Sequence, residues 1–482
     1  MSIAELSKKK PWINWLLFFA TIIIVFVVGI FAASILERRT EAQLYFQMVR
    51  PIEEWEPDNA VWGENFPRQY QTYMQTADTS FRSKWFGSAW VDYLADYPEL
   101  VIMWAGMPFS RDYNQARGHY YSIKDVHNTL RTGVTQPASC WACKSSDFPR
   151  LIAEMGVAEF YSKTLAETGH LVHNHIGCVD CHNPRNMALR ITRPALVEAF
   201  ARQGIDITKA TRQEMRSLVC AQCHVEYYFK QPGNYLTFPW DKGFTAENME
   251  AYYDSIGHRD WVHALSRAPM LKTQHPDYEL FMTGIHAQRG VSCADCHMPY
   301  KREGGIKFTD HHIRSPLANI ASSCQTCHRQ SEEELRRNVF DNQARIAELR
   351  RICEINLARV HIEAKFAWEA GATEAEMAPV LQKIRHAQWR WDWVAAAKGL
   401  GVHSPSEALR VLGTSIQRVN EARLLLSQIY ARHDKPFPPA LPDVSTKEKA
   451  QAFIGLNMEQ LHREKDEWKQ TVLPTWLSNS NM

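Results

Sequence analysis

Ten of the eleven cysteines in this chain form five C-x-x-C pairs, and only Cys353 lies outside the pattern. With the residue that follows each pair, the five motifs are Cys140-Trp-Ala-Cys143-Lys144, Cys178-Val-Asp-Cys181-His182, Cys220-Ala-Gln-Cys223-His224, Cys293-Ala-Asp-Cys296-His297 and Cys324-Gln-Thr-Cys327-His328. Two thiols at this spacing can add across the two vinyl groups of one haem, and the next side chain then binds the iron. The pattern predicts a multihaem cytochrome with five covalently bound c-type haems.

Other uses of paired cysteines explain the motifs less well. A zinc site normally joins two pairs in one tetrahedral centre and needs no histidine directly after each pair. Disulfides and thioredoxin-like redox motifs leave the four adjacent histidines unexplained. Cys353 lies in a helical stretch, and we expect it to be a buried free thiol.

The first motif differs from the rest because Lys144 occupies the position of the axial histidine. A lysine amine binds iron only when it is neutral, which requires a buried, desolvated position. The alternatives are that Lys144 is solvated while a distant histidine supplies the ligand, or that this pair holds no haem. A unique ligand on one haem of five suggests a unique task, namely an iron left open on its other face for a substrate.

The remaining haems need second axial ligands if they transfer electrons as low-spin centres. The chain has 20 histidines, and four of them already follow cysteine pairs. Sequence spacing alone does not choose among the others, and a histidine taken singly is more often an ordinary side chain than a ligand.

Composition and charge narrow the class of protein further. The chain has 482 residues, a formal net charge of +2 and an ordinary globular content of apolar residues. The near balance of charge gives no basic surface for nucleic acid, which we therefore exclude as a partner.

An apolar stretch from about Ile13 to Ala33 follows three lysines at positions 8–10 and ends before Glu37. Its length is closer to the roughly 20 residues that span a bilayer than to the roughly 7–15 of a signal-peptide core. We interpret residues 1–39 as an uncleaved membrane anchor, with a cleaved signal sequence as the alternative. The positive-inside bias keeps the lysines in the cytoplasm, so the body of the chain is exported to the periplasmic side.

The exported body divides by composition into residues 40–330, which carry all five motifs, and residues 331–482. The second part has long amphipathic patterns that begin at capping boxes, in which Ser or Thr is followed three residues later by Glu. The four predicted starts are Ser331 with Glu334, Thr373 with Glu376, Ser404 with Glu407 (Pro405 in the first helical position), and Ser445 with Glu448. Without strand-like alternation or a hairpin signal, the fold class is mainly α, a multihaem cytochrome c with little or no sheet.

The five motifs, taken in order, resemble those of one family. A C-W-x-C-K motif followed by four C-x-x-C-H motifs is similar to the ammonia-forming pentahaem cytochrome c nitrite reductases. The similarity covers roughly residues 45–475 and includes 117–119, 130–133, 224–229, 271–276, 284–286, 385–391 and the C-terminal helices.

The resemblance implies a catalytic site and a calcium site. Arg131, Tyr227 and His275 would face the open iron of the Lys144 haem, where Arg and His bind the anion and support proton supply, and Tyr donates a hydrogen bond. The implied calcium ligands are the side chains of Glu226 and Gln274 with the backbone carbonyls of Tyr227 and Lys272, all hard oxygen donors. Without the resemblance, Glu226 and Gln274 could equally be surface polar residues.

The resemblance also implies one distal histidine for each C-x-x-C-H haem. The pairs are His311 with His182, His119 with His224, His403 with His297, and His286 with His328. Two features depart from the pattern of the family. The loop between Arg131 and Cys140 is shorter than in some members, and the N-terminal anchor differs from the soluble exported form that is the commoner arrangement in the family.

The resulting hypothesis is six-electron reduction of nitrite to ammonia, with calcium and five haems c as cofactors. Hydroxylamine or sulfite as the preferred substrate, and a pure electron-transfer cytochrome, are the alternatives. The resemblance further implies a homodimer through the long C-terminal helices. Because the anchor carries no haem motif, a small membrane-bound multihaem cytochrome is the expected quinol-linked electron donor.

Overall fold

The computed structural model describes residues 10–44, 48–85, 87–133 and 135–477, without the side chains of residues 39–44. Two compact units are present, one ending at Pro51 and the other beginning at Ile52. All five cysteine motifs and the long C-terminal helices belong to the second unit.

The first unit contains helix α1 (Trp12–Leu44). At about 1.5 Å per residue this helix is longer than the roughly 30 Å hydrocarbon core of a bilayer. Within the described residues, its stretch Trp12–Arg38 is the one helical segment long and apolar enough to cross a membrane. A membrane anchor and a signal sequence both meet this description, and Lys8 and Lys9 lie outside the described residues.

The motif-bearing part of the second unit consists of short helices joined by loops. Its α-helices are α2 (Asn59–Asn65), α3 (Pro67–Met74), α4 (Tyr93–Asp96), α5 (Glu99–Met103), α6 (Ser122–Asn128), α7 (Asp147–Met155), α8 (Val157–Ser162), α9 (Leu165–Thr168), α10 (Cys178–Cys181), α11 (Pro194–Arg202), α12 (Arg212–Ala221), α13 (Ala246–Ser255), α14 (Asp277–Met282), α15 (Ile285–Gln288), α16 (Cys293–His297) and α17 (Ile320–Ser323). Short 3-10 turns cover Gln75–Ala77, Pro108–Ser110, His119–Tyr121, Ala138–Cys143, Gly169–Leu171, Ile207–Lys209 and Pro316–Ala318.

Long helices follow. They are α18 (Glu332–Glu369), α19 (Glu374–Ala396) and α20 (Pro405–Arg432), and three shorter helices, α21 (Lys447–Phe453), α22 (Met458–Thr471) and α23 (Leu473–Leu477), come after them. Ser415 Oγ of α20 donates to Ala387 O of α19 at 2.7 Å, and Arg432 of α20 contacts Glu376 near the start of α19, so these two helices run antiparallel. Helix α19 buries Trp389, Trp391 and Trp393 on the motif-bearing part, which joins the two regions into one core.

The predicted caps are confirmed at two of the four helix starts. The Ser331 side chain accepts from Glu334 N, and Thr373 forms a full capping box with Glu376. Pro405 takes the first position of α20 as predicted, but the Ser404 side chain makes no capping hydrogen bond.

The fourth predicted start is wrong by one residue. Ser445 N donates to Asp443 Oδ1 at 3.0 Å in a local turn, and Thr446 is the residue whose side chain caps α21. The helix that follows has only seven residues. A Ser-Thr pair offers two adjacent hydroxyls, and the turn made by Asp443 decides between them.

The mainly α class is confirmed, and the described strands form three antiparallel pairs. These are β1 (Tyr228–Lys230) with β2 (Tyr235–Thr237), β3 (Trp261–Val262) with β4 (Pro269–Met270), and β5 (Tyr300–Glu303) with β6 (Ile306–Thr309). In the last pair the two-residue Gly304-Gly305 loop is a recognised hairpin signal, so the expectation that the sequence contains no hairpin is wrong at this position.

Candidate multihaem and catalytic site

One large cavity runs through the second unit. Its volume is about 2510 Å³, several times the roughly 300–1,000 Å³ of an ordinary small-molecule pocket. The lining includes both cysteines of all five motifs, their following Lys144 or histidine, and the four candidate distal histidines. A continuous space bordered by every motif fits a chain of several large flat groups.

The motifs lie in or beside short helical segments. The first occupies the 3-10 turn Ala138–Cys143, the second is α10, the third begins at Cys220 in the last turn of α12, the fourth is α16 and the fifth follows α17. A single helical turn keeps the two sulfurs of a C-x-x-C pair on one face, because residues three apart are neighbours on a helix.

Each candidate distal histidine faces the motif histidine with which the resemblance pairs it. The ring centroids are separated by 6.2 Å for His119–His224, 6.3 Å for His182–His311, 6.3 Å for His297–His403 and 6.1 Å for His286–His328. Two imidazole nitrogens on opposite sides of one metal, each about 2.0–2.1 Å from it, place their ring centroids roughly 6 Å apart. The spacing therefore fits a metal between the rings, whereas direct stacking of the rings would require a much shorter separation.

Hydrogen bonds fix the tautomer of several of these rings. The Nδ1 atoms of His182, His297 and His311 lie 2.9, 3.1 and 2.8 Å from the backbone oxygens of Met187, Arg314 and Thr309. A carbonyl can only accept, so Nδ1 carries the proton and the lone pair of Nε2 points into the cavity. This is the arrangement in which a histidine binds a metal through Nε2.

The segment around Lys144 is held by buried polar contacts. Ser122 Oγ donates to Lys144 O at 2.7 Å, and the Arg193 guanidinium donates to Ala142 O at 2.9 Å and to Ser145 O at 3.2 Å. Arg193 is paired with Asp180 inside the second motif, and both side chains are almost completely buried. The first and second motifs are thus fixed relative to one another.

Arg131, Tyr227 and His275 all line the same cavity as Lys144. The Arg131 guanidinium lies 4.3 Å from the centre of the Phe109 ring, and Nε donates to Thr129 Oγ1 at 3.1 Å. Burial lowers the pKa of Arg131. Burial holds the pKa of His275 well below its usual value, and burial raises the pKa of the Tyr227 phenol.

The four oxygens implied as calcium ligands come from two neighbouring segments. Glu226 is fully buried, and its carboxylate accepts from Tyr253 Oη at 2.8 Å and from the backbone N–H of Gln274 at 2.6 Å. Gln274 Nε2 in turn lies 3.4 Å from Lys272 O, so its amide stands beside that carbonyl. The described residues contain no cluster of three or more His, Cys, Asp or Glu suited to a metal. The donors of this set are instead one carboxylate with amide and carbonyl oxygens, which is the chemistry that a hard cation prefers.

Two acidic residues near the site were not found from the sequence. Asp392 of α19 is fully buried and pairs with Lys272, and Asp277 lies between two candidate ligand histidines, His224 and His403. The only local sequence signal for a role of Asp277 at the site is its position two residues after His275. Asp392 is 120 residues from its partner in sequence, and nothing in the local pattern marks the contact.

Comparison with known proteins agrees with this architecture. Residues 58–482 match the family described as Cytochrome c552. Proteins named cytochrome c-552 from Porphyromonas gingivalis and Bacteroides fragilis are 53% and 54% identical to this chain, each over 98% of it and over 97% and 98% of their own lengths. A solved cytochrome c nitrite reductase from Desulfovibrio desulfuricans, whose catalytic subunit (NrfA) has two calcium sites, is 32% identical. It covers 86% of this chain and 91% of its own, with a TM-score of 0.76. This chain therefore belongs to the cytochrome c552 family.

Proposed function

We propose that this protein reduces nitrite to ammonia by six electrons at a haem whose iron is bound by Lys144. The observation that carries the proposal is that Arg131, Tyr227 and His275 line the same cavity as the one motif that lacks a histidine. The likeness to a solved cytochrome c nitrite reductase across 86% of the chain supports it.

The side chains have complementary roles in this reaction. The Arg131 guanidinium supplies a fixed positive charge and several N–H donors for a small anion, in a buried place where electrostatic attraction is strong. Tyr227 stays protonated because burial raises its pKa, so it donates a hydrogen bond to an oxygen of the substrate. His275 is neutral because burial lowers its pKa, so it can pass protons without adding a permanent charge.

The cofactors are five c-type haems and calcium. Cys140 and Cys143 with Lys144 hold the haem at which nitrite reacts, and the other four motifs hold haems ligated by the facing histidine pairs. When bound, these haems supply redox chemistry at iron and a route for single electrons. Glu226, Tyr227, Lys272 and Gln274 bind calcium, which fixes the segments that carry Tyr227 and His275.

An anaerobic assay of the purified holoprotein with reduced viologen and nitrite tests the proposal. Ammonium is expected as the product, and its absence would reject the proposal. Comparison of kcat/KM for nitrite, hydroxylamine and sulfite then identifies the preferred substrate, since a small open site discriminates weakly by shape.

A protein that only transfers electrons is the competing function. It requires every iron to be six-coordinate and low-spin. We expect the oxidised protein to show a high-spin component that changes when nitrite is added. A fully low-spin spectrum that nitrite leaves unchanged would favour electron transfer alone.

The chain is proposed to act at the periplasmic side of the cytoplasmic membrane, anchored by α1, with a membrane-bound multihaem cytochrome as donor. A homodimer through the long helices is supported by exposed apolar side chains on α18 and α20, including Ile352, Ile355 and Leu424, the last 62% exposed. Light scattering of the holoprotein in detergent should give twice the chain mass. A monomer would contradict the dimer.

A further inference from the structure

The Asp277 carboxylate stands between two histidine rings, that of His224 in the third motif and that of His403, which faces the fourth motif. Oδ2 lies 3.7 Å from Nδ1 of His224, and Oδ1 lies 3.9 Å from Nδ1 of His403. Asp277 opens helix α14 and is only 8% exposed, and its Oδ1 also accepts from Lys398 N at 2.7 Å. The backbone contact fixes the carboxylate in this position.

This environment differs from that of three other facing histidines. The Nδ1 atoms of His182, His297 and His311 meet backbone carbonyls, which are neutral acceptors. Among the described residues, Nδ1 of His403 is buried without a partner at hydrogen-bonding distance, and the nearest acidic oxygen is that of Asp277. A small rotation of either ring would shorten these separations toward the roughly 2.7–3.2 Å of a hydrogen bond.

The two histidines belong to the proposed third and fourth haem sites, of which the third contacts the Lys144 motif. His224 follows the third motif, and His403 faces His297 of the fourth. Cys223 Sγ of the third motif lies 3.9 Å from Ala142 O inside the first motif. Cys293 N of the fourth motif donates at 3.1 Å to Ser217 Oγ of α12, the helix in which the third motif begins, so the third motif lies between the first and the fourth.

We propose that Asp277 is a positioning residue that sets the reduction potentials of the third and fourth haems together. This rests on the proposed ligation of those haems by His224 and His403. A carboxylate that accepts the outer N–H of a metal-bound imidazole fixes the ring and makes it a stronger donor. A stronger donor and a nearby negative charge both favour ferric over ferrous iron, so Asp277 lowers both potentials and makes these haems stronger reductants.

Because the third motif lies beside the first, a lower reduction potential at the third haem affects electron delivery. The third motif contacts the first, so a lower potential at the haem it would hold favours transfer of each electron onward to the reacting iron. Asp277 is also two residues from His275, and one short segment thus carries a group facing the substrate and a group that tunes the neighbouring donor.

The test is spectropotentiometric titration of the holoprotein carrying Asp277→Asn, without nitrite. Asparagine keeps the oxygen that accepts from Lys398 N and removes the charge. Two of the five haems are expected to shift to more positive potentials while the other three keep theirs. Asp277→Glu, which retains the charge, should stay near the wild type. Unchanged potentials, or an equal shift of all five, would overturn the proposal.

Glu363→Gln is the matched control, because Glu363 is a fully buried carboxylate on α18 that pairs with Arg423. It should leave all five potentials unchanged. If Asp277→Asn fails to incorporate haem, the wild type itself gives the answer. The near-infrared charge-transfer bands of its four histidine-paired haems, considered apart from that of the Lys144 haem, should fall into two groups according to ligand donor strength, and a single group would overturn the proposal.

These outcomes separate this inference from the proposed function. A selective shift in a protein that forms no ammonium would support Asp277 and reject nitrite reduction. Unchanged potentials in a protein that does form ammonium would reject only the role of Asp277.

Discussion

The ammonium of Lys272 lies 2.8 Å from Oδ2 of Asp392, and both side chains are almost completely buried. The same carboxylate oxygen accepts from the backbone N–H of Thr273 at 2.7 Å. Helix α19 therefore holds, through one side chain, the segment that carries two proposed calcium ligands and His275. The pair ties the long-helix region to the chemistry of the site.

We expect Asp392→Asn to lower the free energy of unfolding by about 3–5 kcal/mol, because it leaves the buried Lys272 charge without its partner. The same change should reduce kcat/KM for nitrite, since the segment with His275 loses its anchor. Denaturant titration of the holoprotein measures the first effect, and the viologen assay measures the second. Arg463→Ala breaks an exposed pair with Glu459 and should change neither quantity appreciably.

Arg131→Lys tests the proposed anion site. Lysine keeps the charge but loses the planar set of donors, and it cannot reproduce the packing on Phe109 and the bond to Thr129. Loss of a hydrogen bond to a charged group of about 1.5–3 kcal/mol corresponds to a roughly ten- to hundredfold fall in kcat/KM for nitrite.

The control for that variant is Arg185→Lys at an exposed position, where the side chain is 83% exposed. It should leave kcat/KM unchanged. If Arg131→Lys also leaves kcat/KM unchanged, then Arg131 does not contact the substrate.

The parts of the fold that depend on local chemistry were predictable from sequence. Each cysteine motif occupies five consecutive positions, and the structure places it in or beside a short helical segment. Hydroxyl caps three residues before a glutamate mark the starts of α18 and α19. The start of α21 was misplaced because two adjacent hydroxyls compete and a nearby aspartate selects one.

The contacts that organise the site were not predictable, because they join residues far apart in sequence. Lys272 and Asp392 are 120 positions apart, and the Asp277 contacts depend on how two histidine-bearing segments fold together. Periodicity gives no signal for such pairs. Only the resemblance to a family indicated which histidines face one another.

Removal of calcium should destabilise the site. Chelation with EGTA is expected to lower the thermal unfolding temperature and the nitrite-reducing activity, and added calcium should restore both, because a ligand that binds only the folded state stabilises it. Glu226→Gln removes the one carboxylate of the set, so this variant should start at the lower values and respond little to calcium. Its oxygen still accepts from Gln274 N, which limits other disturbance. A full calcium response in the variant would exclude Glu226 as a ligand.

A buried pair of histidine rings should make stability depend on pH. His263 and His361 stack with ring centroids 3.6 Å apart. Gln388 Nε2 donates to Met103 O at 2.9 Å, which turns its Oε1 toward His361 Nε2 at 2.8 Å, so that nitrogen carries the proton. His361 Nδ1 lies 2.9 Å from Ser266 Oγ and accepts from it. The neutral ring thus satisfies both of its nitrogens within the buried site.

Burial lowers the pKa of His361 to about 4. In the unfolded chain the pKa is about 6.5, so between these values the unfolded state binds more protons than the folded state. The contribution of this one ring to the free energy of unfolding is therefore complete above about pH 6.5. It declines as the pH falls toward 4, by about 3 kcal/mol in total.

His361→Gln should be less stable at neutral pH but should lose less stability over that interval. Denaturant titrations of both proteins at several pH values measure the difference in slope, with the exposed His170→Gln expected to keep the wild-type slope. An equal slope in His361→Gln would assign the acid sensitivity to other groups.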